Sequence, residues 1–440
     1  MQKTITVLLH ILCIFMVFHA CSGSGGSSDS STPTPVDVTG VTLEQENRNV
    51  QIGGQEQLVA HVSPSNADDT SVIWTSNDDT VASVNNEGIV TANSAGITSI
   101  TVTTSDGGFT DTCTITTRQN IQLGNSGESM EVSYLPANTL PTGEEVASFW
   151  MSRTEMTFKE VAEVLQYAYD NNMLSGGTVD SNTATLNGQE LVDLDSTSCY
   201  IHFSGGNFNV ETGFEEYPCT EISWYGSIMV CNWLTAMVNG GDTTEQYYTW
   251  LDDNNDTIMQ AEEIYCDDTK PGFRLPFEKE WLMAARYIGT TPPATGDDLD
   301  TEVITTENNG TTHYWLPENY VSGAVADADI AISGMVAWFK ENSDTTPNSD
   351  YHDGAGTHIV GTAGSDTPNT SMSGNPNHMG FFDMSGNLFE FCFDELMGDR
   401  LIKGCSWYNN EMHCTISVGL AEDAANTYYQ HGLRLAKNSL

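Results

Sequence analysis

Gly380-Phe-Phe-Asp-Met-Ser-Gly-Asn-Leu-Phe-Glu390 is a short apolar insertion set among Gly, Asn and Asp, and most of the chain beyond residue 129 reads the same way. Such a texture belongs to irregular loops more than to repeated strands or helices. Three helices nevertheless stand out. Thr157-Phe-Lys-Glu160 is a capping box, in which the hydroxyl and the carboxylate each serve a free backbone N–H, and Val161, Val164, Leu165 and Ala168 follow at helical spacing. A second helix is expected from Ser223 to Gly240-Gly241, with Trp224, Ile228, Cys231, Leu234 and Val238 on one stripe, and a third near 277–286. Few helices amid abundant irregular structure exclude a repetitive α/β or all-helical architecture.

The N-terminal part differs. Gly40–Leu43, Gln57–Val62, Val72–Trp74, Val81–Val84, Ile89–Ala92, Ser99–Thr103 and Thr112–Thr116 read as seven short strands parted by turn residues at sandwich spacing, with Trp74 in the core. Trp74-Thr-Ser-Asn-Asp-Asp-Thr-Val-Ala-Ser-Val84, Glu87-Gly-Ile-Val-Thr-Ala92 and Ala95-Gly-Ile-Thr-Ser-Ile-Thr-Val102 resemble the bacterial immunoglobulin-like group 2 domain. That resemblance implies a spacer or adhesive module without catalysis.

Ahead of it, residues 5–18 form an apolar run of signal-peptide length, too short for a comfortable membrane span. Phe18-His19-Ala20-Cys21 resembles the lipobox of bacterial lipoproteins, which implies that Cys21 becomes the lipidated N-terminus. Residues 22–35, rich in Gly and Ser and ending in Pro, read as a tether. The expected organisation is a signal peptide at 1–20, lipidated Cys21 and linker at 21–37, an immunoglobulin-like domain at 38–117, a connector at 118–128 and a large domain at 129–440. The expected location is exported, with a membrane partner through Cys21, in the periplasm or on the cell surface. With 60 Asp+Glu against 14 Lys+Arg and a net charge of −46, the chain lacks the cationic surplus that phosphate backbones require, so nucleic acid is excluded as a partner.

Within the large domain, Phe149-Trp-Met-Ser-Arg-Thr-Glu-Met-Thr157, Thr220-Glu-Ile-Ser-Trp-Tyr-Gly226, Phe273-Arg-Leu-Pro-Phe-Glu-Lys-Glu-Trp281, Gly380–Glu390, Lys403-Gly-Cys-Ser-Trp407 and Gly432-Leu-Arg434 occur in order. Together they resemble the formylglycine-generating enzyme, or sulfatase-modifying factor, family. The resemblance implies a C-type-lectin-like α+β fold, mostly irregular, following an all-β sandwich. It also implies a cysteine pair that holds Cu(I), three and eight residues after the serine of a Gly-Gly-Ser block. Counted from Ser406 those positions are Asn409 and Cys414, so one thiolate is replaced by an amide, which is no soft copper ligand. Cys405 replaces the second glycine of the block. It can offer a substitute thiolate to Cys414, or the two can form a disulfide. Cys405, Ser406 and Cys414 are therefore the catalytic residues to examine if copper-dependent oxidation of an exported, cysteine-bearing substrate survives.

Two further expectations follow from the resemblance. Asn387 and Glu390, with the carbonyls of Gly386 and Leu388, match a family calcium site, and Asn319 matches part of a second; hard oxygen donors suit that ion. Trp407, Tyr408, Asn409, Asn410, His413, Tyr428 and Tyr429 form a segment rich in Tyr, Trp, Asn and His, the side chains of adaptable recognition surfaces. It resembles the variable region of lectin-like proteins diversified by retroelements. This favours binding of a protein or glycan over catalysis. Asp252–Glu263 has part of the EF-hand pattern but no Gly at its sixth position, and reads as an acidic solvated loop. Among the cysteines, no pair has zinc-site spacing, and buried thiols are the plain expectation for several. Glu278, Glu280 and Arg286 read as structural, an Arg–carboxylate pair locking a helix, with Glu280 not a general acid.

Overall fold

A computed structural model describes residues 34–44, 47–124, 127–250, 264–289, 303–306, 311–324, 333–343, 356–365 and 371–439. The signal segment, Cys21, the tether up to residue 33 and the acidic loop at 252–263 lie outside these.

The N-terminal module contains strands β1 (Gly40–Leu43), β2 (Asn47–Gln51), β3 (Gln55–Gln57), β4 (Ala60–Ser63), β5 (Val72–Ser76), β6 (Ala82–Val84), β7 (Ile89–Ala92), β8 (Ile97–Thr104) and β9 (Thr110–Leu123). β1 pairs with β4, β3–β7–β6 form a second sheet, and β5–β8–β9 a third. In β8 every second residue is buried, Ile100 and Val102 among them, and Ile100 packs with Val50, Leu58, Val90, Cys113 and Ile115. The expected strand at 57–62 is broken after Gln57, and Leu58 drops into the core at 2% exposure. Trp74, expected in the core, is half-buried and packs against its edge. β2 was not expected: Asn47-Arg-Asn-Val-Gln51 carries one apolar residue, yet it pairs parallel with β9 from Asn47↔Thr114 to Gln51↔Arg118.

The expected connector at 118–128 is mostly strand. β9 runs through it: Thr110–Thr116 pair with β8, and Arg118–Leu123 pair with β10 (Glu128–Leu135). Ile121 and Leu123 enter the core of the large domain while Ile115 stays in that of the small one. One eight-stranded sheet is shared by both modules. Its order continues from β10 through β11 (Phe149–Ser152) and the C-terminal strand, Ala436–Asn438, to β12 (Phe273–Arg274).

The helices start where their caps predict. α1 (Phe158–Asp170) has Thr157 Oγ1 accepting the Glu160 N–H at 3.2 Å and Glu160 Oε2 accepting the Thr157 N–H at 2.8 Å. α2 (Trp224–Val238) is capped by Ser223, whose hydroxyl accepts the Gly226 N–H at 3.0 Å. It is buried all round from Trp224 to Ala236, and Val238 is exposed, so the expected single stripe is corrected. A helix wedged on every side into a domain needs no polar face. α3 (Glu278–Arg286) follows Phe277, and its Glu280 forms a two-pronged ion pair with Arg274, both contacts at 2.6 Å. Arg286 pairs instead with Glu318, at 2.6 Å. Both arginines lock α3 in place, as the structural reading of this block expects.

A second sheet carries the C-terminal region. It consists of β13 (Phe389–Leu396), β14 (Asp399–Lys403), β15 (Gly419–Glu422) and β16 (His431–Gly432), with β16 parallel to β13; the C-terminal strand of the first sheet is β17 (Ala436–Asn438). Among the described residues no helix is long and apolar enough to cross a membrane.

Candidate functional site

β13 begins at the residues expected to hold calcium. Glu390 is fully buried, and both of its oxygens face Arg434: Nη2 donates to Oε1 at 2.6 Å and Nε lies at 2.9 and 3.0 Å from Oε1 and Oε2. Trp281 Nε1 donates to Oε2 at 2.7 Å. Arg434 also donates to the carbonyls of Ser152 and Phe382, so one guanidinium ties β11, the 382 loop and β13 together.

Asn387 is equally occupied. Its Oδ1 accepts the His358 N–H at 3.0 Å and its Nδ2 donates to Glu155 Oε2 at 2.9 Å. Glu155 Oε1 accepts the Leu388 N–H. Gly386 has φ +87° and its Cα faces Trp338; a Cβ would come within 2.3 Å of the Trp338 carbonyl oxygen, so only glycine fits.

Glu390 thus pairs with the guanidinium, and the buried carboxyl groups of Glu155 and Asp383 lie within reach of its charge. Burial, then the charges of Asp383 and Glu390, hold the Glu155 carboxyl well above its usual range, and burial pushes Asp383 up to about 6.

On the other side of β14 the chain makes a rim. Cys405 and Cys414 are joined in a disulfide and both are wholly buried. Cys405 has φ +77°, a left-handed conformation that favours glycine. Between them, Asn409 Oδ1 accepts the Ser406 N–H at 3.0 Å and lies 2.8 Å from the Ser406 hydroxyl. That hydroxyl is also 3.0 Å from Gln430 Oε1.

Trp407, 3% exposed, is the floor of an aromatic group: its ring centroid lies 5.6 Å from that of Tyr408 and 6.0 Å from that of Tyr429. Tyr428 and Tyr429 sit 4.4 Å apart, and Lys340 Nζ lies over the Tyr408 ring at 5.4 Å. Tyr408 is 51% exposed and Tyr428 41%, and Asn410, Met412 and His413 are exposed beside them. The Tyr428 hydroxyl donates to Tyr429 Oη, and that bond is the main reason its pKa is pushed up to about 12. Beneath, Ser198, Tyr200, Thr220, Thr357, Trp407 and Tyr429 enclose only about 20 Å³, room for about one water.

Residues 119–439, nearly three quarters of the chain, match the sulfatase-modifying factor enzyme 1-like domain. The chain belongs to the sulfatase-modifying factor family. Residues 37–115 match the group 2 bacterial Ig-like domain. The chain is similar to Treponema denticola variable protein 1, at 18% identity over 73% of this chain and 99% of that one, with a TM-score of 0.42. It is also similar to CarF, at 18% identity over 71% of this chain and 99% of that one, with a TM-score of 0.43. An Ig-like virion protein of Serratia phage KSP90 is 40% identical over 86 residues, 19% of this chain and 33% of that protein. The chain spans about a third or less of the length of the curated relatives it matches.

Two metal expectations of the sulfatase-modifying factor domain meet residues that do not fit them. For calcium, Glu390 is turned to a guanidinium and Asn387 to backbone and Glu155, so a cation held by these two side chains would lie against Arg434. Asn319, exposed in a turn, lies on a different element from that quartet. Among the described residues no group of three or more His, Cys, Asp or Glu is arranged to hold a metal ion.

For copper, Cys405 does reach Cys414, but as a disulfide, which offers no thiolates. Ser406, with no exposed surface, is a loop anchor and not an accessible nucleophile. Trp407 is a platform beneath the exposed tyrosines and not itself a surface contact. Of the other described cysteines, Cys199, Cys219, Cys231, Cys266 and Cys392 are free thiols and, like Cys113, mostly buried. Burial pushes Cys199 up to about 12, so it is no poised nucleophile.

Sequence reasoning missed Glu155 and Lys340. Glu155 lies inside the Phe149–Thr157 block, where an acid between Thr154 and Met156 was the available signal. Lys340 carries no local signal.

Proposed function

We propose that this protein is an exported, lipid-tethered binding protein. The immunoglobulin-like module stands the sulfatase-modifying factor domain off a membrane to which Cys21 is attached. The pairing of an Ig-like module with this domain supports an extracellular or periplasmic address. The observation that carries the reading is the rim: Tyr408 is exposed beside the buried Trp407 on a loop closed by the Cys405–Cys414 disulfide, and Tyr428, exposed on a separate segment, packs against Tyr429, which also neighbours Trp407. Aromatic rings fixed in this way supply contact area at small entropic cost, and Asn410 and His413 add hydrogen-bonding groups. The cavity beneath holds about one water, so the ligand lies across the surface, as a protein or an extended glycan does.

The test is a screen of the full-length mature protein against immobilised glycans and peptides, repeated with Tyr408→Ala combined with Tyr428→Ala. Capture by the parent and loss in the variant, with its unfolding midpoint held, is the expected result. Capture that survives the double substitution would sink the rim as the site. The same preparation, reduced and loaded with Cu(I), is to be offered a cysteine-containing sulfatase-motif peptide under oxygen. No aldehyde is expected, and its appearance would replace the binding reading with the oxidase.

A further inference from the structure

Arg48 of β2, Arg118 of β9 and Arg153 after β11 converge on one cleft of about 590 Å³ where the two modules meet. Asn47, Asn49 and Glu56 line it from the immunoglobulin-like side, and Gly323, Asn377 and His378 from the other. In a chain with 14 Lys+Arg against 60 Asp+Glu, three arginines on one cleft are a marked concentration of positive charge. Their acidic partners do not cancel them. Glu131 serves two arginines at once, ion-pairing with Arg118 and accepting from Arg153 Nη1 at 2.6 Å. Arg48 Nε lies 3.2 Å from Glu56 Oε1 without hydrogen-bond geometry. Three guanidinium groups against two carboxylates leave the cleft positive inside an acidic molecule.

The polar inventory points the same way. Arg118 Nε, Arg48 Nε and Asn49 Oδ1 are buried and make no hydrogen bond among the described residues. Unmet donors and acceptors in a polar cleft ask for a ligand or ordered water. Asn49 is brought against the other module at Gly380, where a Cβ would fall 2.0 Å from Asn49 Nδ2, and the Gly380 carbonyl accepts from Arg153 Nε at 2.8 Å. The cleft is therefore built by both modules and held by their shared strand, β9.

We infer that this cleft binds a hydroxyl-rich organic acid of the uronic-acid class, with the carboxylate on the arginines and the hydroxyls on Asn47 and Asn49. A guanidinium fork matches a planar carboxylate in two parallel hydrogen bonds. The volume suits one or two sugar rings. The site lies apart from the tyrosine rim and does not depend on it.

Calorimetric titration of the full-length mature protein with glucuronate, glucose and inorganic phosphate tests this. Binding of glucuronate that weakens with added salt, with neither glucose nor phosphate matching it, is expected. Arg48→Gln should weaken glucuronate about tenfold or more, since it removes a charge-assisted pair. Asn49→Asp should abolish it by placing a carboxylate in the cleft. Both variants must keep the parent's unfolding midpoint, which Arg48 on an outer strand permits. Tyr408→Ala combined with Tyr428→Ala should leave glucuronate binding unchanged, so failure of this site and failure of the rim are separate results. No glucuronate binding, equal binding by Arg48→Gln, or phosphate binding as tightly as glucuronate would each overturn the assignment.

Discussion

Residues 386–390 and 406–414 are two polar stretches attached to the same sheet, one leading into β13 and the other following β14, and the fold uses them in opposite ways. In the first, Asn387 and Glu390 are completely buried and their hydrogen-bonding capacity is filled by Arg434, Trp281, Glu155 and backbone. In the second, the anchors Ser406, Trp407 and Cys405 are buried, while Tyr408, Asn410 and His413 face outward. A motif rich in oxygen donors is thus a site only if the fold leaves those donors unanswered. It answers the side chains of Glu390 and Asn387, and around Tyr408 it leaves the surface open.

The sharpest way to break the contrast is at Arg434. Arg434→Met leaves the buried Glu390 carboxylate without its cation, and truncating one partner of a buried ion pair costs about 3–5 kcal/mol. Chemical denaturation should show a loss of that size or failure to fold, and millimolar calcium should not shift the midpoint of the parent protein. A calcium-dependent rise would mean that Glu390 exchanges Arg434 for the ion. Next in size is the rim's own closure. Cys405→Ala with Cys414→Ala removes a cross-link over a separation of 9 residues, worth about 2–3 kcal/mol on chain-entropy grounds. Urea unfolding of the variant and of the reduced parent should agree. If ligand capture survives undiminished, the disulfide serves only stability.

A third test is the pH dependence of the buried cluster. Glu155 and Asp383 hold protons in the folded state that the unfolded chain gives up, because their folded pKa values lie above the ordinary 4.5 and 3.8. Stability is therefore greatest at low pH with respect to these groups. It falls as pH rises from about 4 through the Asp383 value of about 6 and onward. Glu155→Gln should flatten the decline between pH 5 and 8, measured as the denaturation midpoint. A parent midpoint that rises over that interval would show that the cluster is ionised throughout and held by Arg434 alone.

What could be read in the sequence was what is settled locally. The starts of α1 and α2 were legible because Thr157 and Ser223 each cap a residue three places away. The ordered blocks of the large domain were legible as a set. What escaped depends on partners distant in sequence. β2 has one apolar residue and becomes a strand only because β9, more than 60 residues later, pairs with it. Arg118, Gln119 and Asn120 resemble a connector by composition, yet pair across to 131–133 and extend the sheet between modules. Glu390 meets Arg434 across 44 residues and Asn387 meets Glu155 across 232, and no spacing rule announces either pair. The calcium expectation rested on donor chemistry, which was visible, while the pairing of Glu390 with Arg434 and of Asn387 with Glu155 was not.

The smallest expected effect on stability belongs to the exposed tyrosines, and it decides whether the rim is surface or core. Tyr408 touches Trp407 edge-on and Lys340 by one face, and Tyr428 stacks loosely on Tyr429 and His431. Neither fills the cavity beneath, which Tyr429 and Trp407 close. Removing either side chain should therefore cost no more than about 0.5 kcal/mol, as surface substitutions generally do. Asn409→Ala should cost more than either, about 1 kcal/mol or above, because its carbonyl holds the Ser406 N–H and the turn between the two cysteines. Denaturation of the three single variants ranks them directly. If Tyr408→Ala or Tyr428→Ala costs as much as Asn409→Ala, these rings are packing residues at the edge of the core, and the contrast with the Glu390 cluster collapses.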